Sequence, residues 1–200
     1  MQRTPTPVVP LPGQEAAWDY PRPPRVEAGS ARIRIVLGGE VVLDSVDSVR
    51  VLETSHPPVY YLPRSAFAPG TLEPADGSSF CEFKGAAQYL TVRGGGKVAE
   101  AAAWFYPEPA QGYEALAGRV AVYPGRMDYC EVDGERVRPQ AGGFYGGWIT
   151  ERVVGPFKGG TRNVALVRDR FRGRPGRIQV PSGSQRISRQ LPESGSMMGT

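Results

Sequence analysis

Three side chains that could do chemistry stand beside turn residues in this sequence. Glu53 ends a short β-branched run just before Pro57-Pro58, and Cys81 and Lys84 precede a predicted turn at Gly85. A lysine amine with a lowered pKa or a cysteine thiolate can act as a nucleophile, and a carboxylate can hydrogen-bond a substrate. Lys84, Glu53 and Cys81 are therefore the candidate catalytic residues. For Cys81, the alternative is a small apolar core residue.

Aromatic and polar side chains around these candidates could form a ligand pocket. Such pockets combine apolar and aromatic walls with a few convergent polar groups. Lys84 could contact an anion or a carbonyl group, Glu53 and Ser55 could form hydrogen bonds, and His56 could act as an acid or base. The alternative for the aromatic residues is plain core packing. The candidate ligand-binding residues are Ser55, His56, Tyr60, Tyr89, Trp104 and Tyr106.

Short strands are expected to position these residues. The 26 glycines and 20 prolines in 200 residues favour turns over long helices. Residues 31–37 alternate in the period-two pattern of a half-buried strand. Further strands are predicted at 40–43, 49–53, 59–62, 88–93, 97–106, 119–123, 129–132 and 135–137, with hairpin turns at Gly38-Gly39, Gly94-Gly95-Gly96 and Asp133-Gly134. This spacing is typical of a barrel or of two packed sheets.

Two or three segments have some helical character. Residues 64–67 and 113–117 could each form a short helical turn. Ala101-Ala102-Ala103 has helical propensity, but the triple glycine pairs it with the preceding run, so a strand is predicted there. We therefore expect an all-β, mainly antiparallel fold with one or two short helices.

The basic charge of the chain is concentrated near its end. Residues 162–200 hold eight arginines and two acids, whereas residues 1–161 hold sixteen basic and eighteen acidic residues. Segments with few apolar residues and high net charge tend to remain disordered. Residues 162–200 are therefore predicted to be a disordered tail, with weak, non-specific contact to nucleic acid as the alternative. Nucleic-acid binding by the rest of the chain is not expected.

Targeting signals and membrane spans are not expected in this sequence. Met1–Gly13 is rich in proline and lacks the apolar stretch of a signal peptide, and no apolar run approaches the ~18 residues that cross a bilayer. We expect a cytoplasmic protein without membrane contact, in which Cys81 and Cys130 are free thiols.

Five blocks of sequence, in order, resemble the bacterial family called domain of unknown function 427, which is sometimes labelled nucleotidyltransferase-like. The blocks are Trp18–Pro24, Leu52–Tyr61, Cys81–Tyr89, Ala103–Pro109 and Gly118–Tyr123. Gly143–Gly160 is similar to an extension in actinobacterial members, so the resemblance covers about residues 14–160. It implies a β-tent-like architecture of two antiparallel sheets. The predicted organisation is a flexible arm (1–13), the β-tent-like domain (14–137), a Gly-rich extension packed on or beside it (138–161) and the tail (162–200).

Relatives on the β-tent fold often hold a structural zinc through two Cys-x-x-Cys pairs, which this sequence lacks. Cys81, Cys130 and His56 are too few for four nitrogen and sulfur ligands, so no metal or cofactor is expected. Nucleotidyl transfer needs carboxylates placed together for Mg²⁺. Asp44 and Asp47 follow Gly38-Gly39, but their spacing on a strand directs them to opposite faces. We interpret them as solvated turn residues.

Three functions remain open from the sequence. The first is a module that binds an unknown small molecule in an aromatic pocket around Lys84 and Trp104. The second is an enzyme, nucleotidyltransferase-like or another small-molecule transferase, acting through Lys84, Glu53 or Cys81. The third is a structural or interaction domain without a ligand. Exposed strand edges would also permit a homodimer.

Overall fold

The computed structural model of this chain describes residues 6–159, which form fifteen strands. In chain order these are β1 (Glu15–Ala16), β2 (Arg25–Gly29), β3 (Ile33–Leu37), β4 (Glu40–Ser45), β5 (Ser48–Leu52), β6 (Val59–Pro63), β7 (Leu72–Cys81), β8 (Gly85–Gly94), β9 (Lys97–Phe105), β10 (Arg119–Val122), β11 (Tyr129–Val132), β12 (Glu135–Arg136), β13 (Arg138–Pro139), β14 (Trp148–Ile149) and β15 (Val153–Val154). The predicted tail at residues 162–200 lies outside the described residues.

Two antiparallel sheets form most of the structure. The larger has seven strands in the order β2-β5-β6-β10-β9-β8-β7, and the smaller has four in the order β12-β11-β3-β4. β13 pairs with β14, and β1 pairs in parallel with β15. The all-β, mainly antiparallel fold is thus confirmed.

Helical structure in residues 6–159 is limited to single 3-10 turns. The predicted turns at 64–67 and 113–117 are found as Arg64–Ala66 and Glu114–Leu116, and two more occur at Ala17–Asp19 and Pro124–Arg126. The alanine run 101–103 is part of β9, as predicted, because pairing with β8 and β10 outweighs its helical propensity. The described residues contain no helix long and apolar enough to cross a membrane.

The apolar residues separate into two main clusters, one on each face of the seven-stranded sheet. The smaller sheet covers one face, and its Ile33, Ile35 and Cys130 are buried there against Leu62 and other residues of the larger sheet. The opposite face carries a second cluster, rich in aromatic residues, that includes Tyr61, Trp104 and Tyr106. Alternation along β6 separates the clusters, because Tyr60 and Leu62 point one way and Tyr61 points the other.

Residues before and after the two sheets pack with the last residue of β5 in a third cluster. Ala17, Tyr20, Leu52 and Val153 are buried in it, and Phe157 packs against them. Trp148 of β14 is fully buried in the first cluster, where its Nε1 donates to the Val122 carbonyl at 3.3 Å. The segment after the last hairpin therefore contributes to the core.

Candidate functional site

A cavity of about 520 Å³ opens on the aromatic face of the seven-stranded sheet. This volume lies within the range usual for small-molecule sites. Strands β5, β6, β8 and β9 supply its floor, and the β7–β8 turn and the β13–β14 loop border it. The residues that line it are Arg22, Val51, Glu53, His56, Pro57, Val59, Tyr61, Ser79, Phe80, Cys81, Glu82, Phe83, Lys84, Tyr89, Trp104, Tyr106, Tyr123, Gln140, Phe144, Tyr145, Gly146 and Lys158.

A row of side chains across the sheet forms the floor of the cavity. Tyr89 of β8 is paired with Trp104 of β9, and Trp104 is paired in turn with Ala121 of β10. The register of β10 against β6 brings Ala121 next to Tyr61. Because alanine is small, Trp104 can lean across it, and its Nε1 donates to the Tyr61 hydroxyl at 3.1 Å.

Two tyrosine hydroxyls, those of Tyr61 and Tyr106, lie in the floor of the cavity. The indole of Trp104 can only donate, so the Tyr61 oxygen accepts from it, and the Tyr61 proton is left for another acceptor. Burial raises the pKa of both Tyr61 and Tyr106 above the ordinary value. These phenols are therefore neutral, and Tyr106 keeps a proton that it can donate.

Lys84 lies in the turn between β7 and β8, and its side chain borders the cavity. Gly85 follows it with a φ of +96°, a left-handed conformation that suits glycine, and the Lys84 carbonyl accepts from the Ala110 amide at 3.1 Å. The residue is only 9 % exposed. Within residues 6–159 its amine forms neither an ion pair nor a hydrogen bond, so an unpaired cation at the end of a largely buried side chain faces the cavity.

The carboxylates of the cavity are held by one arginine. Arg22 contacts Glu53 at 3.1 Å and Glu82 at 2.6 Å. Its guanidinium also lies over the Phe83 ring, 5.2 Å from the centroid. Arg22 therefore brings the acidic residues to one side of the cavity mouth, away from any ion pair with Lys84.

His56 is fixed by the side-chain amide of Gln140. The Gln140 Nε2 lies 2.8 Å from the Lys158 carbonyl and 3.0 Å from the His56 Nδ1. A carbonyl can only accept, so this atom must be the amide nitrogen, and Nδ1 of His56 must accept from it. Burial lowers the pKa of His56 below its ordinary value. The ring is thus neutral and carries its proton on Nε2.

The β13–β14 loop closes one side of the cavity by lying directly on Trp104. A Cβ atom at Gly146 would stand 2.1 Å from the Trp104 ring, so only glycine fits there without movement. The Tyr145 ring lies 5.1 Å from the His56 ring, centroid to centroid, and Phe144 is largely exposed at the mouth. This wall comes from the segment that follows the two main sheets.

A family model for a domain of unknown function, DUF427, matches residues 25–133, more than half of the chain. The chain belongs to the DUF427 family. This finding confirms the resemblance seen in the sequence over the strands that form the floor of the cavity. No curated protein matches the sequence. Part of the cavity wall, including Arg22, Gln140, Tyr145 and Lys158, lies outside the residues matched by the DUF427 model.

The DUF427 fold brings most of the sequence-predicted residues together. Seven of the nine line the cavity: Lys84, Glu53, Cys81, His56, Tyr89, Trp104 and Tyr106. Ser55 and Tyr60 do not. Ser55 has a φ of +64° and joins other segments through its backbone, donating to the Ala17 carbonyl and accepting from the Lys158 amide. Tyr60 points to the opposite face of the sheet, against Trp148.

Sequence reasoning missed several residues of the DUF427 cavity. Tyr61 is the neighbour of a predicted residue, and the period-two alternation of β6 would have found it had the register been known. Phe83 and Tyr123 stand in blocks that carried the family resemblance. Arg22 and most of the β13–β14 loop also stand in segments that carried the resemblance, but nothing in the sequence placed them at the cavity, because their position depends on contacts between segments far apart in the chain.

The carboxylates that nucleotidyl transfer would need are engaged elsewhere in this DUF427 chain. Asp44 accepts from Arg32 and Arg34, whose hydrogen bonds lower its pKa to about 2. Asp47 pairs with Arg119 at 2.9 Å. Neither lines the cavity, and residues 6–159 contain no group of three or more His, Cys, Asp or Glu side chains that could hold a metal ion.

The two cysteines are free and differ in their surroundings. Cys130 is buried in the core between the sheets, where burial raises the pKa of its thiol. A thiol of that kind is a poor nucleophile. Cys81 is half-buried at the end of β7 and lines the cavity, so it is the cysteine that a bound molecule would meet.

Proposed function

We propose that this chain is a soluble, cytoplasmic domain that binds a small molecule in the cavity around Lys84 and Trp104. The observation that carries the proposal is the unpaired amine of Lys84, at the end of a largely buried side chain that borders an aromatic cavity. Removing part of the water around a cation without giving it a partner costs free energy. A ligand group beside Lys84 would supply the missing partner, while the aromatic residues would cover its apolar part.

A thermal-shift screen of a small-molecule library on the full chain tests this proposal. At least one compound should raise the melting temperature, because a ligand that binds only the folded state stabilises it. Lys84→Met keeps the length of the side chain and removes the charge, so it should fold normally and lose the shift. Lys97→Met is the matched control, since Lys97 pairs with Asp128 outside the cavity.

Two results would contradict the proposal. A library without any stabilising compound would favour a structural or interaction domain. A shift that is the same in Lys84→Met and the wild type would place the ligand elsewhere.

An enzyme is the second candidate, because Lys84, Cys81 and Glu53 border the same cavity. A transferase that forms a covalent intermediate should leave an adduct on Lys84 or Cys81. Incubation with nucleotides and Mg²⁺, followed by intact-protein mass spectrometry, checks this. An adduct that survives in both Lys84→Met and Cys81→Ala would remove these residues from the reaction.

A further inference from the structure

We infer that the ligand of this cavity is a planar aromatic anion, with its acidic group at Lys84 and its ring against Trp104. The inference rests on the proposed function and adds the chemical class of the ligand to it. Three properties of the cavity lead to this class: its charge, the direction of its hydrogen-bonding groups, and the shape of its aromatic walls.

The charge of the cavity favours an anion. Three cations, Arg22, Lys84 and Lys158, line it against two carboxylates, Glu53 and Glu82. Both carboxylates already contact Arg22. Aromatic walls can also bind ammonium groups, but here such a group would meet the unpaired amine of Lys84. Repulsion in a half-enclosed site makes a cationic ligand unfavourable.

The hydrogen-bonding groups of the floor are mostly donors. Tyr61 accepts from Trp104, which leaves the Tyr61 proton for another acceptor, and Tyr106 carries a second phenol proton beside it. His56 accepts at Nδ1 from Gln140, which leaves Nε2–H as the other polar atom of its ring. Together with the ammonium group of Lys84, these groups offer protons. Their natural complement is a ligand with oxygen acceptors, as in a carboxylate, a phosphate or a ring carbonyl.

The walls favour a flat ring over an aliphatic chain. The rings of Trp104 and Tyr123 lie 4.5 Å apart and tilted, and Tyr61 meets Trp104 edge-on. These rings pack on one another and present an aromatic wall to the cavity, and a flat ligand ring can lie against such a wall in an offset or edge-to-face arrangement. The cavity of about 520 Å³ has room for two fused rings with an acidic substituent.

Isothermal titration of the full chain with three compounds of the same ring and different charge tests the inference. The probes are 2-naphthoate, the neutral 2-naphthamide and the cationic 2-naphthylmethylammonium. The naphthoate should bind about 10-fold or more tightly than the amide, because its hydrogen bonds to Lys84 are charge-assisted, and the cation should bind weakest. Adding 2-naphthyl phosphate distinguishes a carboxylate from a phosphate preference, and tight binding of either anion supports the class.

Lys84→Met separates the charge from the shape of the cavity. In this variant the affinity for naphthoate should fall to that for naphthamide, while the affinity for naphthamide should not change. Lys97→Met should leave all affinities as they are. If the amide or the cation binds as tightly as the naphthoate, or if none of the probes binds, the inferred ligand class is wrong. The proposed function itself fails only if the whole library gives no Lys84-dependent shift.

Discussion

His56 is held neutral by its position beneath the β13–β14 loop. Burial lowers its pKa, and the nearby charges of Lys84 and Lys158 act in the same direction, against the opposing effect of Glu53. Protonation would also remove the lone pair at Nδ1 that accepts from Gln140. The folded protein therefore resists protonation of this ring more than the unfolded chain does.

The resulting pH dependence of stability can be measured. The unfolded chain takes up a proton at His56 near the ordinary pKa of 6.5. The contribution of neutral His56 to the free energy of unfolding is therefore complete above that pH. It is lost as the pH falls from 6.5 toward the lowered pKa of the folded state. Urea unfolding at pH 7.5, 6.5 and 5.5 should show a steeper loss in the wild type than in His56→Asn, which keeps an acceptor for Gln140. Parallel losses in the two proteins would mean that His56 does not titrate on unfolding.

Single residues of the site could be predicted where a turn residue stood beside them. They could not be predicted where the face of the strand to which a side chain points was decisive. Lys84 stood out because Gly85 indicated an unusual backbone, and the structure gives that glycine a left-handed φ. Tyr60 and Tyr61 are adjacent and chemically alike. Which of them faces the cavity depends on the register of β6 between β5 and β10, and a single sequence does not contain that information.

Two hairpin turns of different sheets touch through glycines. A Cβ at Gly95 would stand 1.9 Å from the Gly38 carbonyl oxygen, whereas a Cβ at Gly96 would meet nothing within 4 Å. Both have a left-handed φ, +51° and +75°. The triple glycine thus forms the predicted hairpin turn and also permits a close approach to the backbone of the β3–β4 turn.

Alanine substitutions at Gly95 and Gly96 distinguish the cost of a left-handed φ from the cost of the close contact with Gly38. Gly96→Ala should cost about 1 kcal/mol, the usual strain of a left-handed alanine. Gly95→Ala should cost clearly more, because the β3–β4 and β8–β9 turns must also move apart. The free energy of unfolding from urea denaturation compares them, and equal costs would show that the contact with Gly38 adds nothing.

Strands could be predicted where alternation or turn chemistry was clear. β3 shows alternation, and Asp133-Gly134 has the two positive φ angles of the predicted hairpin turn. β7 was missed, because Pro74 and the small polar residues after it are typical of a loop. Pro74 is tolerated because β7 is the edge strand of the sheet, where a residue can lack a backbone N–H donor. A bulge also interrupts the pairing with β8 between Pro74 and Ser78.

The whole molecule assembles its cavity from residues that the family model matches and from segments that it does not match. The matched residues 25–133 supply the sheet floor and Lys84, whereas Arg22 and the β13–β14 loop supply the rim. Sequence patterns predicted the floor because it consists of regular strands. The rim consists of loops that are held by distant contacts, such as the Lys158 amide with the Ser55 carbonyl.

Contact between the loop and the floor can be tested at Gly146. Gly146→Ala places a methyl group into the Trp104 ring, which is 8 % exposed and has little room to move. We expect a loss of about 1–3 kcal/mol, as for an overpacked core. Gly143→Ala, in the same loop with nothing within 4 Å, is the control and should be close to neutral. Similar unfolding energies for both variants would mean that the loop does not rest on Trp104.

The most direct test of the ligand cavity uses the three tryptophans of the chain as reporters. Trp104 lines the cavity, Trp148 is fully buried in the core between the sheets, and Trp18 is partly exposed near the N-terminus. Each indole N–H gives its own signal in a ¹H–¹⁵N spectrum of the full chain, and a Trp104→Phe spectrum assigns the first. On titration with stabilising compounds from the library, the Trp104 signal should shift and saturate while that of Trp148 stays in place. Saturable shifts at Trp18 or Trp148 with an unmoved Trp104 would contradict a binding site at this cavity.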